Sequence, residues 1–122
     1  MQLPILRLIS SPTNVAALRA ELAQISPQAV LPENIEKGLF YIFRLDHVST
    51  PLARFLFQEL TMEGGQVVLA PGIYHGDEKE TNLLLMGTQY QLRRMLSRLR
   101  TQSDAELNHL AEEIEKAIRR CN

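Results

Sequence analysis

The chain has 122 residues, 45% of them hydrophobic and 22% charged, which suits one globular domain spanning residues 1–122 around one core and excludes a disordered polypeptide. Thirteen Lys and Arg face fourteen Asp and Glu, so the overall charge draws the protein neither to nucleic acid nor to an anionic membrane. A single cysteine, Cys121, excludes an intrachain disulfide and a two-cysteine metal site.

Leu3 to Ile9 is apolar except for Pro4 and Arg7, and its length predicts a strand, with proline marking an edge position or a strand start. Ser11-Pro12 is an N-cap followed by proline, and Val15, Leu18, Leu22 and Ile25 recur on one helical face, which predicts a first helix to about Ile25. Two prolines, Asn34 and Gly38 break any period between Ser26 and Gly38, which predicts a loop. Leu39 to Val48 predicts a long strand: Phe40, Ile42 and Arg44 lie on one side, Leu39, Tyr41, Phe43 and Leu45 on the other, and both faces look covered.

Thr50-Pro51 repeats the cap-plus-proline signal. The stripe Leu52, Phe55, Leu56 and Leu60 then predicts a second helix that stops at Gly64-Gly65, where glycine accepts a left-handed conformation. Gln66 to Ala70 and Asn82 to Met86 are short apolar runs, read as strands, separated by Pro71-Gly72 and the polar stretch His75 to Thr81. Thr88 with Gln91 forms a capping box ahead of Leu92, Met95, Leu96 and Leu99, and Ser103 with Glu106 forms a second ahead of Leu107, Leu110, Ala111, Ile114 and Ile118. The order β-α-β-α-β-β-α-α places the chain in the α/β (α+β) class, with helices packed on a small mixed four-stranded sheet.

No apolar stretch approaches the roughly 18 to 20 residues of a spanning helix. The start of the chain lacks the basic lead, apolar run and cleavage site of a signal peptide, so a cytoplasmic protein is expected.

Candidate chemistry is sparse. His47, His75 and His109 are the histidines; His75-Gly76-Asp77-Glu78 reads as a solvated turn, Asp46-His47 as a polar strand end, and His109 lies off the apolar stripe of its helix. A stand-alone hydrolase or transferase would have to use Asp46, His47 or His75. Gly87-Thr88 stands between a strand and a helix, where backbone N–H groups bind anions, although neither a dinucleotide fingerprint nor a phosphate loop is present.

Arg93, Arg94, Arg98 and Arg100 load the helix that follows with four cations. Together with Gly87 and Thr88 they form a candidate anion or partner contact. The same arginines fall opposite the apolar stripe, where a solvated face or pairing with the acidic last helix also accounts for them. No aromatic residue is interleaved among them to stack on bases, which argues against nucleic acid. Tyr41 and Phe57 are candidates for an apolar interface, because a chain of this size has few layers in which to hide so many large side chains.

Gln58-Glu59-Leu60 leading to Gly64-Gly65, and Leu83-Leu84-Leu85-Met86-Gly87-Thr88 with Gln91-Leu92, carry a family resemblance. From about Leu39 to Ile118, including the closing Leu110-Ala111-Glu112-Glu113-Ile114, the chain resembles the segment that precedes the catalytic barrel in a subset of bacterial and archaeal dihydropteroate synthases. Phe57 departs from that pattern, which has a lysine before the Gln-Glu pair, so no charge function carries over there.

The resemblance implies folate biosynthesis, in which a parent transferase condenses a pterin pyrophosphate with 4-aminobenzoate. It implies no catalytic, cofactor-binding or metal-binding residue in this chain, because the family's chemistry belongs to a (β/α)8 barrel whose motifs are not found here. The chain ends about where such a barrel would begin. The expectation is therefore a non-catalytic accessory domain, without a cofactor of its own, whose partner is the barrel of the parent enzyme or a second copy of itself. A small anion- or ligand-binding module is the alternative.

Overall fold

The computed structural model describes residues 14–72 and 79–121. The predicted strand Leu3–Ile9, the Ser11-Pro12 cap and His75 lie outside the described residues. Helix α1 spans Val15–Ile25 and is capped by Asn14, whose side chain accepts from the Ala17 N–H at 3.0 Å. Val15, Leu18 and Leu22 pack on the core as their spacing predicts, whereas Ile25, at 82% exposed, falls off the buried face.

The segment expected to be a loop holds a 3-10 turn, Pro27–Ala29, and a short helix α2, Pro32–Gly38. Its prolines start these elements instead of breaking them: Pro27 and Pro32 both occupy first-turn positions, where a missing N–H costs nothing. Glu33 and Lys37 then pair one turn apart at 2.8 Å, and Ile35 is buried.

Strand β1, Phe40–Ser49, leads into helix α3, Thr50–Met62, which ends at the predicted glycines. Gly64 takes φ +90, its N–H donates to the Thr61 carbonyl at 3.0 Å, and the Gly65 N–H donates to the Leu60 carbonyl at 3.0 Å. This is the double closure of a Schellman turn. Strand β2, Gln66–Val68, strand β3, Glu80–Thr88, helix α4, Gln89–Arg100, and helix α5, Ala105–Cys121, complete the fold.

The capping box of Thr88 and Gln91 is present as expected. The second box is not: Asp104, not Ser103, caps α5 by accepting from the Leu107 N–H at 3.0 Å, and Ser103 sits at φ 52 in the turn before it. A carboxylate one residue nearer the helix serves the same exposed N–H groups and adds a charge at the positive end of the dipole.

Among the described residues the sheet has three strands in the order β1-β3-β2, all antiparallel, in place of the mixed four-stranded sheet expected. Strands β1 and β2, joined through α3, run the same way, and β3 inserts between them, so each neighbouring pair is antiparallel. Residues alternate cleanly across β3: Thr81, Leu83, Leu85 and Gly87 are buried, while Asn82, Leu84 and Met86 lie on the other side.

The buried side, with Tyr41, Val48 and Val67, meets Leu56 and Leu60 of α3, Leu92, Met95, Leu96 and Leu99 of α4, and Ala111, Ile114 and Ile118 of α5. Among the described residues the helices of this core cover one face. Strand β1 is therefore not covered on both sides as its composition predicts: Phe40 is 43% and Ile42 61% exposed.

Candidate partner surface and the arginine helix

At the start of α4, Gly87 and Thr88 form a turn whose polar groups are already engaged. The Thr88 hydroxyl accepts from the Gln91 N–H at 3.1 Å, the Gln91 side chain accepts from the Thr88 N–H at 2.9 Å, and the Gln89 N–H donates to the Leu39 carbonyl at 2.8 Å. Gly87 is glycine for a local reason, since a Cβ there would stand 3.1 Å from the Gln91 carboxamide oxygen. Three N–H groups that an anion would need are thus spent on capping the helix and tying it to the end of α2.

The four arginines are likewise engaged. Arg93 pairs with Glu36 of α2 at 2.6 Å and Glu115 of α5 at 3.3 Å, and Arg100 with Glu112 of α5 at 3.4 Å. Arg94 pairs with Glu63 at 2.8 Å, and Arg98 is held by Glu59 and Glu63, with a further bond to the Glu59 carbonyl at 2.9 Å. Pairing with the acidic last helix is found for Arg93 and Arg100, but the carboxylates of α3 and α2 are not apparent from the local pattern. Their separation in sequence hides them. The hydrogen bond from Arg98, with Arg94 adding to it, holds the Glu63 carboxyl below its ordinary range against the opposing effect of burial.

Tyr41 belongs to the interior and not to an interface. It is 4% exposed, lies 5.6 Å from Phe43 with the rings stacked, and donates to the Gln89 carboxamide at 3.1 Å. Gln89 in turn reaches Glu36 at 3.4 Å, which continues the chain to Arg93. Burial raises the Tyr41 hydroxyl above its usual pKa. Phe57 is half-buried against the core.

The apolar surface lies instead on the uncovered side of the sheet. Ile42 stands opposite Met86, which is opposite Gln66; Arg44 stands opposite Leu84, which is opposite Val68. Phe40, Ile42 and Val68, at 43%, 61% and 46% exposed, give this face three large aliphatic or aromatic side chains, with half-buried Leu84 and Met86 between the strands. Strand parity alone places Phe40 and Ile42 together; the pairing register adds the other three.

Two of the histidines come closer in the fold than in the sequence. The Asp46-His47 step is a β-bulge: the register passes from Leu45 opposite Leu83 to Val48 opposite Thr81. His47 takes φ 57, donates its N–H to the Asn82 side chain at 3.1 Å and sets its imidazole 3.1 Å from Glu80. Asp46 pairs with Arg44 at 2.9 Å. His47, Asp46 and His109 line one shallow groove, yet among the described residues no three His, Cys, Asp or Glu side chains are placed to hold a metal ion. Cys121 is exposed and free.

No helix among the described residues is long and apolar enough to cross a membrane. No protein-family model matches the chain, and neither a curated protein nor a solved structure matches it.

Proposed function

We propose that this chain is a non-catalytic accessory domain of a dihydropteroate synthase-like protein, a cytoplasmic component of folate biosynthesis, that packs against the catalytic barrel or a second copy of itself. The observation that supports the packing role is the exposed sheet face: Phe40 and Ile42 of β1 and Val68 of β2 stand exposed on the side that also carries Leu84 and Met86 of β3, with Arg44 and Gln66 among them. The assignment to a pterin enzyme rests on the resemblance of the Gly64-Gly65 and Leu83–Thr88 stretches. Neither nucleic acid nor membrane is a partner in this reading.

A small-anion module built on Gly87, Thr88 and the four arginines is the second reading. It has less support, because every one of those arginines already faces a carboxylate of its own chain. Assaying a separately made dihydropteroate synthase barrel with and without this chain tests the first reading. The chain alone is expected to give no turnover, since the reaction needs a site that positions two substrates and stabilises leaving pyrophosphate. Its addition is expected to change the barrel's kinetics or stability; turnover by the chain alone, or a barrel indifferent to it, would count against the proposal.

A further inference from the structure

The N-terminal half of α5 is packed on one side and open on another. Leu107 and Leu110, one turn apart, are only half-buried, whereas Ile114, the next residue of the stripe, lies in the core. In heptad terms Leu107, Leu110 and Ile114 hold the a, d and a positions of a helix–helix seam, and Glu106 and Glu113 hold the g positions that flank it. Two adjoining hollows of about 320 and 200 Å³, both lined by Leu52 and Glu106, separate this seam from its neighbours. The opposite wall is Leu52 and Phe55 of α3 with Leu45 of β1, each again half-buried. The seam is thus half of a helix packing arrangement, with apolar walls whose outer surface meets nothing in the core.

The rim of this groove is acidic. Among the described residues Glu106 pairs with no cation, and Glu113 meets only Lys116, at 3.9 Å. Asp104 gives an oxygen to the Leu107 N–H at 3.0 Å, and Asp46 is balanced by Arg44 at 2.9 Å. His47 and His109 are the other ionisable groups on the lining. Glu106 and Glu113 stand two turns apart, about 10 Å along the helix, which is the interval at which a second helix repeats its own flanking positions. The chain's own arginine helix, α4, is not a candidate to fill the space in a second copy: its apolar stripe is buried and its cations already face carboxylates.

We infer that the groove receives an amphipathic helix from another protein, one whose apolar stripe fills the space between α3 and α5 and whose lysines or arginines, seven residues apart, meet Glu106 and Glu113. The half-buried leucines and Phe55 supply the affinity, as in other helix-in-groove contacts. The two glutamates supply the choice of partner, since they attract a basic flank and repel an acidic one. This groove shares only Arg44 with the exposed sheet patch, and the inference does not rest on the packing role proposed above.

The test titrates the full chain with a synthetic peptide of about three heptads, leucine at a and d and lysine at e and g, whose like charges keep it from pairing with itself. Amide shifts are followed by NMR. The expected result is saturable shifts centred on residues 45–48, 52–55 and 104–113. Binding should weaken by about tenfold or more in the double variant Glu106→Lys, Glu113→Lys, return with a peptide carrying glutamate in place of lysine, and stay unchanged in Ile42→Lys. Both glutamates are exposed, so their reversal should leave the unbound spectrum that of a folded chain. Silence at those residues, as when another part of this chain already fills the groove, would overturn the proposal. So would shifts centred on the sheet patch, or equal binding of the lysine and glutamate peptides by the parent chain. Shifts at the same residues on concentrating the chain alone, competing with the peptide, would assign the groove to a second copy and overturn it as well.

Discussion

Glu63, at the end of α3, accepts from two arginines of α4 at once: Arg98 bonds one carboxylate oxygen and Arg94 the other, at 2.8 Å. The α3–α4 contact is therefore bolted at its solvent edge by charge, above the apolar layer of Leu56, Leu60, Leu92 and Met95. Glu63 is only 12% exposed, so removing its partner leaves a carboxylate with little water to fall back on.

Arg98→Ala is expected to destabilise the chain by about 1 to 3 kcal/mol, because it breaks charge-assisted bonds to Glu59 and Glu63 in a half-buried setting. Arg94→Ala, whose side chain is 54% exposed, should cost under about 1 kcal/mol. Urea unfolding of the two variants checks the order; equal losses would contradict this picture.

The same pair fixes a pH dependence. The Glu63 carboxyl titrates below its ordinary 4.5 in the folded chain, so its contribution is complete above the unfolded value and is lost as pH falls through the folded one. Between about pH 5 and pH 3, urea midpoints of the parent chain should fall more steeply than those of Glu63→Gln, which has no proton to take up there. Parallel curves would remove Glu63 as a cause.

The two glycines after α3 should respond to alanine for different reasons. Gly65→Ala places a Cβ 2.7 Å from the Leu60 side chain and 3.0 Å from the Met86 carbonyl, an overlap expected to cost about 1 to 3 kcal/mol. Gly64→Ala meets only the end of Gln91 at 3.2 Å but must hold φ +90, at a cost of about 1 kcal/mol. Gly64→Asn should recover part of that loss, since asparagine accepts positive φ, while Gly65→Asn should recover none. Thermal unfolding of the four variants separates strain from crowding.

Much of this was legible where the signal is local. The Thr88–Gln91 box, the Gly64 turn and the stripes of α4 and α5 each depend on residues within one or two turns of each other, and each has the predicted form. Helix α2 is hidden because Pro27 and Pro32 read as breakers, although each stands at the start of a helical element. Tyr41 read as an interface residue because composition does not say which side of β1 the helices cover. For the arginines of α4 the pattern offers an anion or partner contact beside a solvated face or pairing with the last helix; Glu36, Glu59 and Glu63 escape it because they come from 31 to 57 residues away. The apolar patch on the sheet depends on register, which sets Ile42 beside Met86 across 44 positions of sequence.

The packing role is decided by whether the exposed sheet face is a docking surface. Sedimentation velocity at micromolar concentration, run on the chain alone and mixed with a separately made dihydropteroate synthase barrel, tests it with Ile42→Lys and Val68→Lys as paired variants. Both positions are exposed on the sheet, so the charged side chains should leave the monomer folded while placing a desolvation penalty in any interface. The prediction is a complex, or a self-associated species, formed by the parent chain and weakened at least tenfold by either lysine. A chain that stays monomeric and ignores the barrel, or a complex that forms equally well with both lysines in place, would contradict it.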